Sequence, residues 1–334
     1  MMHMNTKSVS VPRIVKENAV SFLSTHEFDL YIGNPYSAQF IPREANSLIL
    51  THSLFSDLPM LLRAMPKKNG KILAFGAGSV FDPAKYIAKM TESTLVVIPT
   101  ALSVNSLGTH RSSFFDGQSK QSMDTIAPGT IVLDFEILKS AGILNTLGTI
   151  ELAATATALT DWSCAIKNEK APQNAEINAR CVRLIENALD LLRNVKDIPN
   201  RLEQVFEGLL ESGLLTQAFG SGRPVSGSEH VISAYIENEI VGCAHGAGLW
   251  FGIQVAAILQ AQSDQDSEHT KMIARLLRED DTIRAYLQSE FKREVIEPLM
   301  IEVKPRPDKY TILDEVSRDQ LQYAVREVCD DIFV

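Results

Sequence analysis

Four short apolar runs, each the length of a buried strand, follow one another between residues 47 and 134. They are Leu48-Ile49-Leu50, Ile72-Leu73-Ala74-Phe75, Leu95-Val96-Val97-Ile98 and Ile131-Val132-Leu133. Turn signals and helix-period segments separate the runs, and strands that alternate with helices form a parallel sheet covered on both faces. The pattern therefore predicts an α/β domain in the first part of the chain.

The strand signals stop after Ser140. Long amphipathic segments follow, among them residues 174–195 and 197–212, and this periodicity is typical of helices. We predict an α/β domain over residues 1–139 and an all-α domain over residues 140–334. With 334 residues, 45% of them hydrophobic, the chain can supply a core to each domain.

Net charge and cysteine content limit the partners and the cellular location that we expect for this chain. The formal net charge of -9 argues against nucleic acid as a partner, because phosphates require a basic footprint. The four cysteines form no CxxC pair, which favours free thiols in a reducing compartment. We see no signal-peptide core at the start and no apolar run of the roughly 20 residues that cross a bilayer. We therefore expect a cytoplasmic protein without a membrane span.

A glycine-rich turn follows the second apolar run. Gly76-Ala77-Gly78-Ser79 comes directly after it, and residues 80–90 have the pattern of a helix. Glycines let the backbone approach a ligand closely, and the N–H groups that open a helix favour phosphate. A tight turn without a ligand explains this spacing equally well, since the full dinucleotide fingerprint is absent. Residues 99–103 end the next strand at the same sheet edge, which favours the ligand.

Two histidines and one distant carboxylate have the residue types of a catalytic metal site. His230 follows a segment with capping-box spacing, 226–229, which predicts that a helix begins there. His245 precedes an apolar helix predicted over residues 247–259. A single histidine beside such a helix is more often buried than a ligand. The pair is more informative than either member.

Glu151 completes the candidate set. It lies on a predicted helix, 150–162, where it faces small side chains. A carboxylate in such surroundings requires a charged partner or a metal unless that face is open to water. Asp161 is the alternative acidic ligand. Two neutral imidazoles and one carboxylate bind a divalent metal and leave coordination positions open.

These segments, taken together and in this order, resemble a known family. The shared segments are Gly76 to Lys85, Pro99 to Ser103, Gly148 to Glu151 with Asp161-Trp162, Ser226 to His230, His245-Gly246 and Lys309 to Leu313. Over about residues 70–315 the chain resembles the iron-containing alcohol dehydrogenase superfamily, and within it looks most like the glycerol-1-phosphate dehydrogenase branch. The resemblance implies a dehydroquinate synthase-like fold. In that fold a dinucleotide-binding domain, here abbreviated before its glycine motif, precedes a helical domain, with a metal in the cleft between them.

The resemblance also implies roles for twelve residues. The metal ligands are Glu151, His230 and His245, the NAD or NADP contacts are Gly76, Ala77, Gly78, Ser79, Asp82, Thr100 and Ser103, and the substrate contacts are Asn105 and Arg111. Arg111 suggests an anionic substrate, and a structural ion pair is an equal alternative for it. The ligand set accepts zinc, iron or nickel.

Three functions follow from this interpretation. We favour a metal-dependent, NAD(P)-linked dehydrogenase that acts on the CH–OH group of a small polyol or polyol phosphate. Glu151 and Arg111 also fit a dehydroquinate-synthase-like sugar-phosphate cyclase or lyase, which uses NAD transiently. A non-catalytic relative is the third alternative. For the enzymes we expect a small, polar, phosphorylated substrate and a homo-oligomer.

Overall fold

The computed structural model describes residues 8–52, 54, 56, 58–63, 68–115, 120–240, 242–265 and 267–333. They divide into two compact units. The α/β unit contains Ser8–Asn145 and Pro199–Gln217, and the helical unit contains Thr146–Ile198 and the chain from Ala218 onward. The domain boundary at residues 139 and 140 stays a prediction.

A six-stranded parallel sheet organises the α/β unit. The strands of this unit are β1 (Arg13–Lys16), β2 (Leu30–Gly33), β3 (Ser47–Ile49), β4 (Lys71–Gly76), β5 (Thr94–Pro99), β6 (Arg111–Phe115), β7 (Lys120–Asp124) and β8 (Thr130–Leu133). The sheet has the order β1-β8-β5-β4-β2-β3, and β6 and β7 form a separate antiparallel pair. The predicted parallel sheet, followed by a helical region, is confirmed.

Thirteen α-helices are described. They are α1 (Ala19–Thr25), α2 (Leu58–Arg63), α3 (Gly78–Thr91), α4 (Phe135–Ser140), α5 (Ile143–Lys167), α6 (Ala175–Leu192), α7 (Leu202–Phe219), α8 (Ser228–Glu239), α9 (His245–Gln262), α10 (Glu268–Glu279), α11 (Asp281–Glu290), α12 (Arg293–Ile301) and α13 (Arg318–Ile332). Among the described residues, none of these helices has the length and apolarity that crossing a membrane requires.

The burial of the central strands of the sheet explains why these strands could be predicted from the sequence. Residues 72–75 of β4 are fully buried, because the two faces of a parallel sheet are both covered and its inner strands are apolar throughout. Neither β1 nor β2 was predicted from the sequence. Three of the six strands precede residue 50 and β4 runs into the glycine motif, so the segment that we expected to be abbreviated supplies four strands of the sheet.

Helix α7, most of which belongs to the α/β unit, is joined to the rest of that unit by polar contacts. The side-chain amide of Gln217 donates to the carbonyl oxygen of Gly108 at 2.5 Å, and its oxygen accepts from the backbone N–H of Ser10 at 3.0 Å. Asn105 donates to Oγ of Ser212 at 3.0 Å. These bonds tie residues 199–217 to the loop that follows β5 and to the segment that precedes β1.

Helix α9 lies at the centre of the helical unit. Every residue from Gly246 to Ala256 is buried, and a helix that is buried on all sides must be apolar around its whole circumference. The predicted helix over 247–259 is therefore confirmed, and it begins two residues earlier and ends three residues later than predicted. Its first residue is His245, which places a candidate ligand at the edge of the core.

Candidate metal and nucleotide sites

Glu151, His230 and His245 come together in the helical unit. They lie on α5, α8 and α9, and each offers one donor atom within 4.8 Å of the other two. Nε2 of His245 is 3.1 Å from Oε2 of Glu151, and Nε2 of His230 is 3.6 Å from the same oxygen. The Glu151 side chain is 2% exposed and the histidines are 18–19% exposed. The carboxylate of the cluster is therefore buried, whereas its two imidazoles are partly exposed to solvent.

Close helix packing produces this convergence. A Cβ atom at Gly252 of α9 would collide with the carbonyl oxygen of Glu229 on α8, and one at Gly246 would lie 2.6 Å from Cβ of Leu147 on α5. Real Cβ atoms do not approach so closely, so both positions require glycine. The small residues of α9 let the two other helices approach its backbone, and the three candidate side chains meet as a result.

Two further carboxylates contact the histidines from behind. Nδ1 of His230 lies 2.7 Å from Oε1 of Glu229, and Nδ1 of His245 lies 2.7 Å from Oε1 of Glu237. From the sequence, Glu229 was predicted only as part of a helix start, and neither contact was predicted. Sequence spacing holds no signal for the second contact, because Glu237 and His245 belong to different helices.

Attraction between the carboxylates and the histidines shifts the pKa values of the cluster. Burial alone would raise the pKa of Glu151, but hydrogen bonds and charge attraction from His230 and His245 outweigh burial and hold this pKa far below its ordinary value. Burial would lower the pKa of His230, but its bonds to Glu151 and Glu229 raise it. Glu151 is therefore ionised, which is the state in which a carboxylate binds a cation.

Asp161, the alternative acidic ligand, has another role. Its carboxylate accepts from the backbone N–H groups of Ser228 at 2.6 Å and Ile312 at 3.1 Å, and from the Gln260 amide at 3.0 Å. Burial, with repulsion from Glu229, raises the pKa of Asp161 to about 6. This carboxylate thus accepts a hydrogen bond from a backbone N–H group in the first turn of α8, where a negative charge is favourable.

Helix α8 begins near the predicted position, but the predicted cap is wrong. The N-cap residue is Gly227, and no side chain caps the helix from that position. Oγ of Ser226 instead accepts a hydrogen bond from Lys309 at 2.9 Å. Asp161 takes over the capping function, a contact of 67 residues in sequence separation that local spacing does not reveal.

The glycine-rich turn lies where a parallel sheet binds ligands. Gly76 ends β4 and Ala77 is the N-cap of α3, with no side-chain cap on that turn. Thr100 follows β5, and its backbone N–H donates to the carbonyl oxygen of Gly76 at 2.7 Å. The two loops that were predicted to share one edge are therefore hydrogen-bonded to each other.

The order of the strands makes this edge a candidate binding position. From β2 the chain moves outward to β3, and from β4 it moves the other way to β5. Such a reversal opens a crevice at the carboxyl ends of the two neighbouring strands. The predicted cofactor residues Gly76, Ala77, Gly78 and Ser79 lie at the end of β4 and the start of α3, and Ser103 lies in the loop after β5.

Three other predicted ligand-binding residues have partners inside the α/β unit. Asp82 accepts from the backbone N–H of Ser113 at 3.0 Å and pairs with the buried Lys85 at 3.1 Å. Asn105 donates to Ser212, as described above. Arg111 pairs with Asp124 at 2.5 Å, so the structural ion pair considered for it is present. Their roles toward a cofactor or substrate stay predictions.

Comparison with known proteins identifies the family. A sequence model described as iron-containing alcohol dehydrogenase matches residues 47–142. The glycerol-1-phosphate dehydrogenase (NAD(P)+) of Hyperthermus butylicus is 30% identical over 252 residues, which cover 73% of this chain and 69% of the relative. The protein of the same name from Picrophilus torridus is 30% identical over 270 residues, covering 78% and 73%.

Solved structures share the fold. A probable glycerol dehydrogenase from Sinorhizobium meliloti superposes with a TM-score of 0.72 at 14% identity, covering 98% of this chain and 99% of that one. An iron-containing alcohol dehydrogenase from Thermotoga maritima superposes with a TM-score of 0.68 at 14% identity, covering 98% and 100%. The resemblance predicted from the motifs is confirmed: this chain belongs to the iron-containing alcohol dehydrogenase family.

Proposed function

We propose that this chain is a metal-dependent, NAD(P)-linked dehydrogenase of a small polyol phosphate, with glycerol 1-phosphate as the leading substrate. The observation that supports it most is the cluster of donor atoms from Glu151, His230 and His245 within 4.8 Å, in a chain whose relatives at 26–30% identity are named glycerol-1-phosphate dehydrogenase. Family membership makes the chain an oxidoreductase that acts on a CH–OH group.

The donor set fits a divalent cation. Two imidazole nitrogens and one carboxylate oxygen are donors that zinc, iron and nickel all accept. Three protein ligands leave coordination positions for a substrate, and the partial exposure of His230 and His245 provides a route to them. Glu151 brings the negative charge that offsets part of the charge of the ion.

Each part of the proposed chemistry has a candidate residue. A bound divalent ion supplies Lewis acidity, which lowers the pKa of a substrate hydroxyl and polarises the carbonyl in the reverse direction. A bound nicotinamide supplies the hydride acceptor. The turn at residues 76–79 and the N–H groups that open α3 orient the cofactor phosphates, with Asp82, Thr100 and Ser103 as further contacts. Asn105 orients the substrate.

Arg111 is the candidate for the substrate phosphate. Its partner Asp124 has a side chain that is 63% exposed, and exposed ion pairs contribute little to stability. A phosphate can therefore compete with Asp124 for the guanidinium, because bidentate binding of phosphate suits arginine. The ion pair with Asp124 is also compatible with a purely structural role for Arg111. The kinetics of an Arg111→Met variant distinguish this role from phosphate binding.

The experiment is an assay of purified protein with its metal restored. We expect reduction of NAD+ or NADP+ with glycerol 1-phosphate, and loss of this activity in Glu151→Ala. The same protein is tested with glycerol 3-phosphate and glycerol to define the substrate. Failure to reduce either nicotinamide with any polyol or polyol phosphate contradicts the proposal. Conversion of a sugar phosphate with phosphate release, and no net nicotinamide change, selects the cyclase or lyase instead.

We also propose a cytoplasmic location and a homo-oligomeric state. The four cysteines, Cys164, Cys181, Cys243 and Cys329, all lie in the described part of the chain and form no disulfide, which suits a reducing compartment. Light scattering of the purified protein measures the oligomeric state directly, and a monomer at working concentration contradicts that part of the proposal.

A further inference from the structure

Each histidine of the proposed metal site is held by its own carboxylate. From these contacts we infer that Glu229 and Glu237 are positioning residues, which fix His230 and His245 with Nε2 directed to the ion and thereby set the metal affinity. The inference rests on the proposed function, because it assumes that Glu151 and the two histidines bind a metal.

The protonation of the rings follows from the chemistry of the partners. An ionised carboxylate only accepts hydrogen bonds, so Nδ1 of each ring must carry the proton in the 2.7 Å contacts to Glu229 and Glu237. In a neutral ring the free electron pair then lies on Nε2. Both Nε2 atoms are the ones that face Oε2 of Glu151, at 3.6 and 3.1 Å.

Glu229 is fixed on both of its oxygens. Its side chain is fully buried, and Oε1, which contacts His230, also accepts from the backbone N–H of Gly227 at 2.6 Å. Oε2 accepts from the hydroxyl of Thr157 on α5 at 2.9 Å. A carboxylate with three donors cannot rotate without losing a bond, so it holds the His230 ring in one orientation.

Glu237 is fixed by its own helix. Oε1, which contacts His245, also accepts from the hydroxyl of Ser233 at 2.8 Å, one turn earlier on α8. Residues four apart on a helix lie on the same face, so α8 presents both groups toward the start of α9. The side chain of Glu237 is 16% exposed, and a substitution there disturbs less of the core than one at Glu229.

Orientation of the ligands before the ion arrives raises its affinity. Partners that bond to the second nitrogen of a metal-binding histidine fix its tautomer and increase its basicity, and their loss typically lowers metal affinity about 10–100-fold. Glutamine at position 237 keeps an oxygen acceptor but loses the charge, whereas alanine loses both. We therefore expect the affinity to follow the order Glu, Gln, Ala.

The test measures zinc binding to the full chain by competition with a chelator. We expect Glu237→Ala to weaken zinc binding about 10–100-fold, with Glu237→Gln between it and the wild type. Glu239→Ala is the matched control, because Glu239 is an exposed glutamate on the same helix, and it should bind zinc as the wild type does. Selective ¹⁵N-histidine labelling then follows the Nδ1–H signals of the zinc-loaded protein, and Glu237→Ala should lose the protected signal of His245.

Four outcomes overturn the inference in part or in whole. If Glu237→Ala binds zinc within about twofold of the wild type, or if Glu239→Ala loses as much affinity, Glu237 does not position His245. Glu229→Gln repeats the test at His230, and wild-type affinity there overturns that half. A wild-type protein that binds no zinc, iron or nickel instead refutes the proposed metal site itself, and the inference with it.

Discussion

Gly252 of α9 lies against the backbone of Glu229 on α8, so closely that a Cβ atom at position 252 would overlap the Glu229 carbonyl oxygen. The contact fixes the distance between the helices that carry His245 and His230. The first prediction follows directly from it.

Gly252→Ala should destabilise the helical unit and loosen the metal site together. Overpacking of a close contact costs typically about 1–3 kcal/mol, and separation of α8 from α9 moves His230 away from His245. Chemical denaturation measures the first effect and chelator competition the second. Gly222→Ala is the control, because a Cβ atom there would meet Ser226 at an ordinary 3.6 Å. A stable Gly252→Ala protein with unchanged zinc affinity contradicts this account of the packing.

His245→Ala should release the metal and abolish turnover while the fold persists. Catalytic metal sites contribute less to folding than structural ones, and the buried part of α9 begins after His245. Metal analysis, steady-state kinetics and circular dichroism test the three parts. His52→Ala, at an exposed position in the α/β unit, should keep both metal and activity. Retained turnover in His245→Ala would refute the ligand assignment.

Asp161 should make stability depend on pH in the metal-free protein. Burial and repulsion from Glu229 raise its pKa from 3.8 to about 6, so the folded chain binds this proton more tightly than the unfolded chain. The resulting contribution is present below about pH 4 and is lost as the pH rises to about 6. The free energy of unfolding of the wild type, relative to Asp161→Asn, should therefore fall by about 2–3 kcal/mol over that interval. A difference that is constant with pH contradicts the raised pKa.

Ser79→Asp should weaken cofactor binding without weakening the fold. Position 79 lies in the first turn of α3, where a negative side chain interacts favourably with the helix dipole but repels the phosphates proposed to bind there. We expect the NAD(P) dissociation constant to rise at least about tenfold, with an unchanged melting temperature. Val20→Asp places the same charge in the first turn of α1, at a 55% exposed position, and should leave the dissociation constant as it is.

Arg111→Met should separate the two roles of Arg111. If Arg111 binds the substrate phosphate, the KM for glycerol 1-phosphate rises about 10-fold or more, whereas the KM for unphosphorylated glycerol stays constant. Asp124→Asn, which removes the ion-pair partner, should then leave the KM for the phosphorylated substrate unchanged or lower it. Equal, small losses of stability in both variants, with no change in KM, would assign Arg111 to the hairpin of β6 and β7 alone.

The strands that the sequence predicted are those whose burial leaves a local signal. β4 is apolar through residues 72–75 because it is covered on both faces. β1 was not predicted because it is only four residues long, has charged residues at both ends and lies at the edge of the sheet. β7 reads Lys-Gln-Ser-Met-Asp, which is polar because, among the described residues, β6 is the only strand that it pairs with. Strand propensity alone does not distinguish such segments from loops.

The candidate site likewise contains some residues that the sequence predicted and others that it did not. Residue types selected His230 and His245 and left Glu151 and Asp161 as alternative acidic ligands, and the resemblance to the family favoured Glu151. The structure brings donor atoms of Glu151, His230 and His245 within 4.8 Å of one another. The partners Glu229 and Glu237 were not predicted, because their contacts depend on ring orientation and on the angle between two helices. The same limit applies to Asp161, whose capping contact joins residues 67 positions apart.

The burial of α9 implies an order of maturation. Because His245 is the first residue of a helix that is buried from Gly246 to Ala256, its position is defined only once the surrounding core has formed. A newly made chain would therefore complete its interior before it could acquire the ion, and retention of metal would report that the interior is correctly assembled.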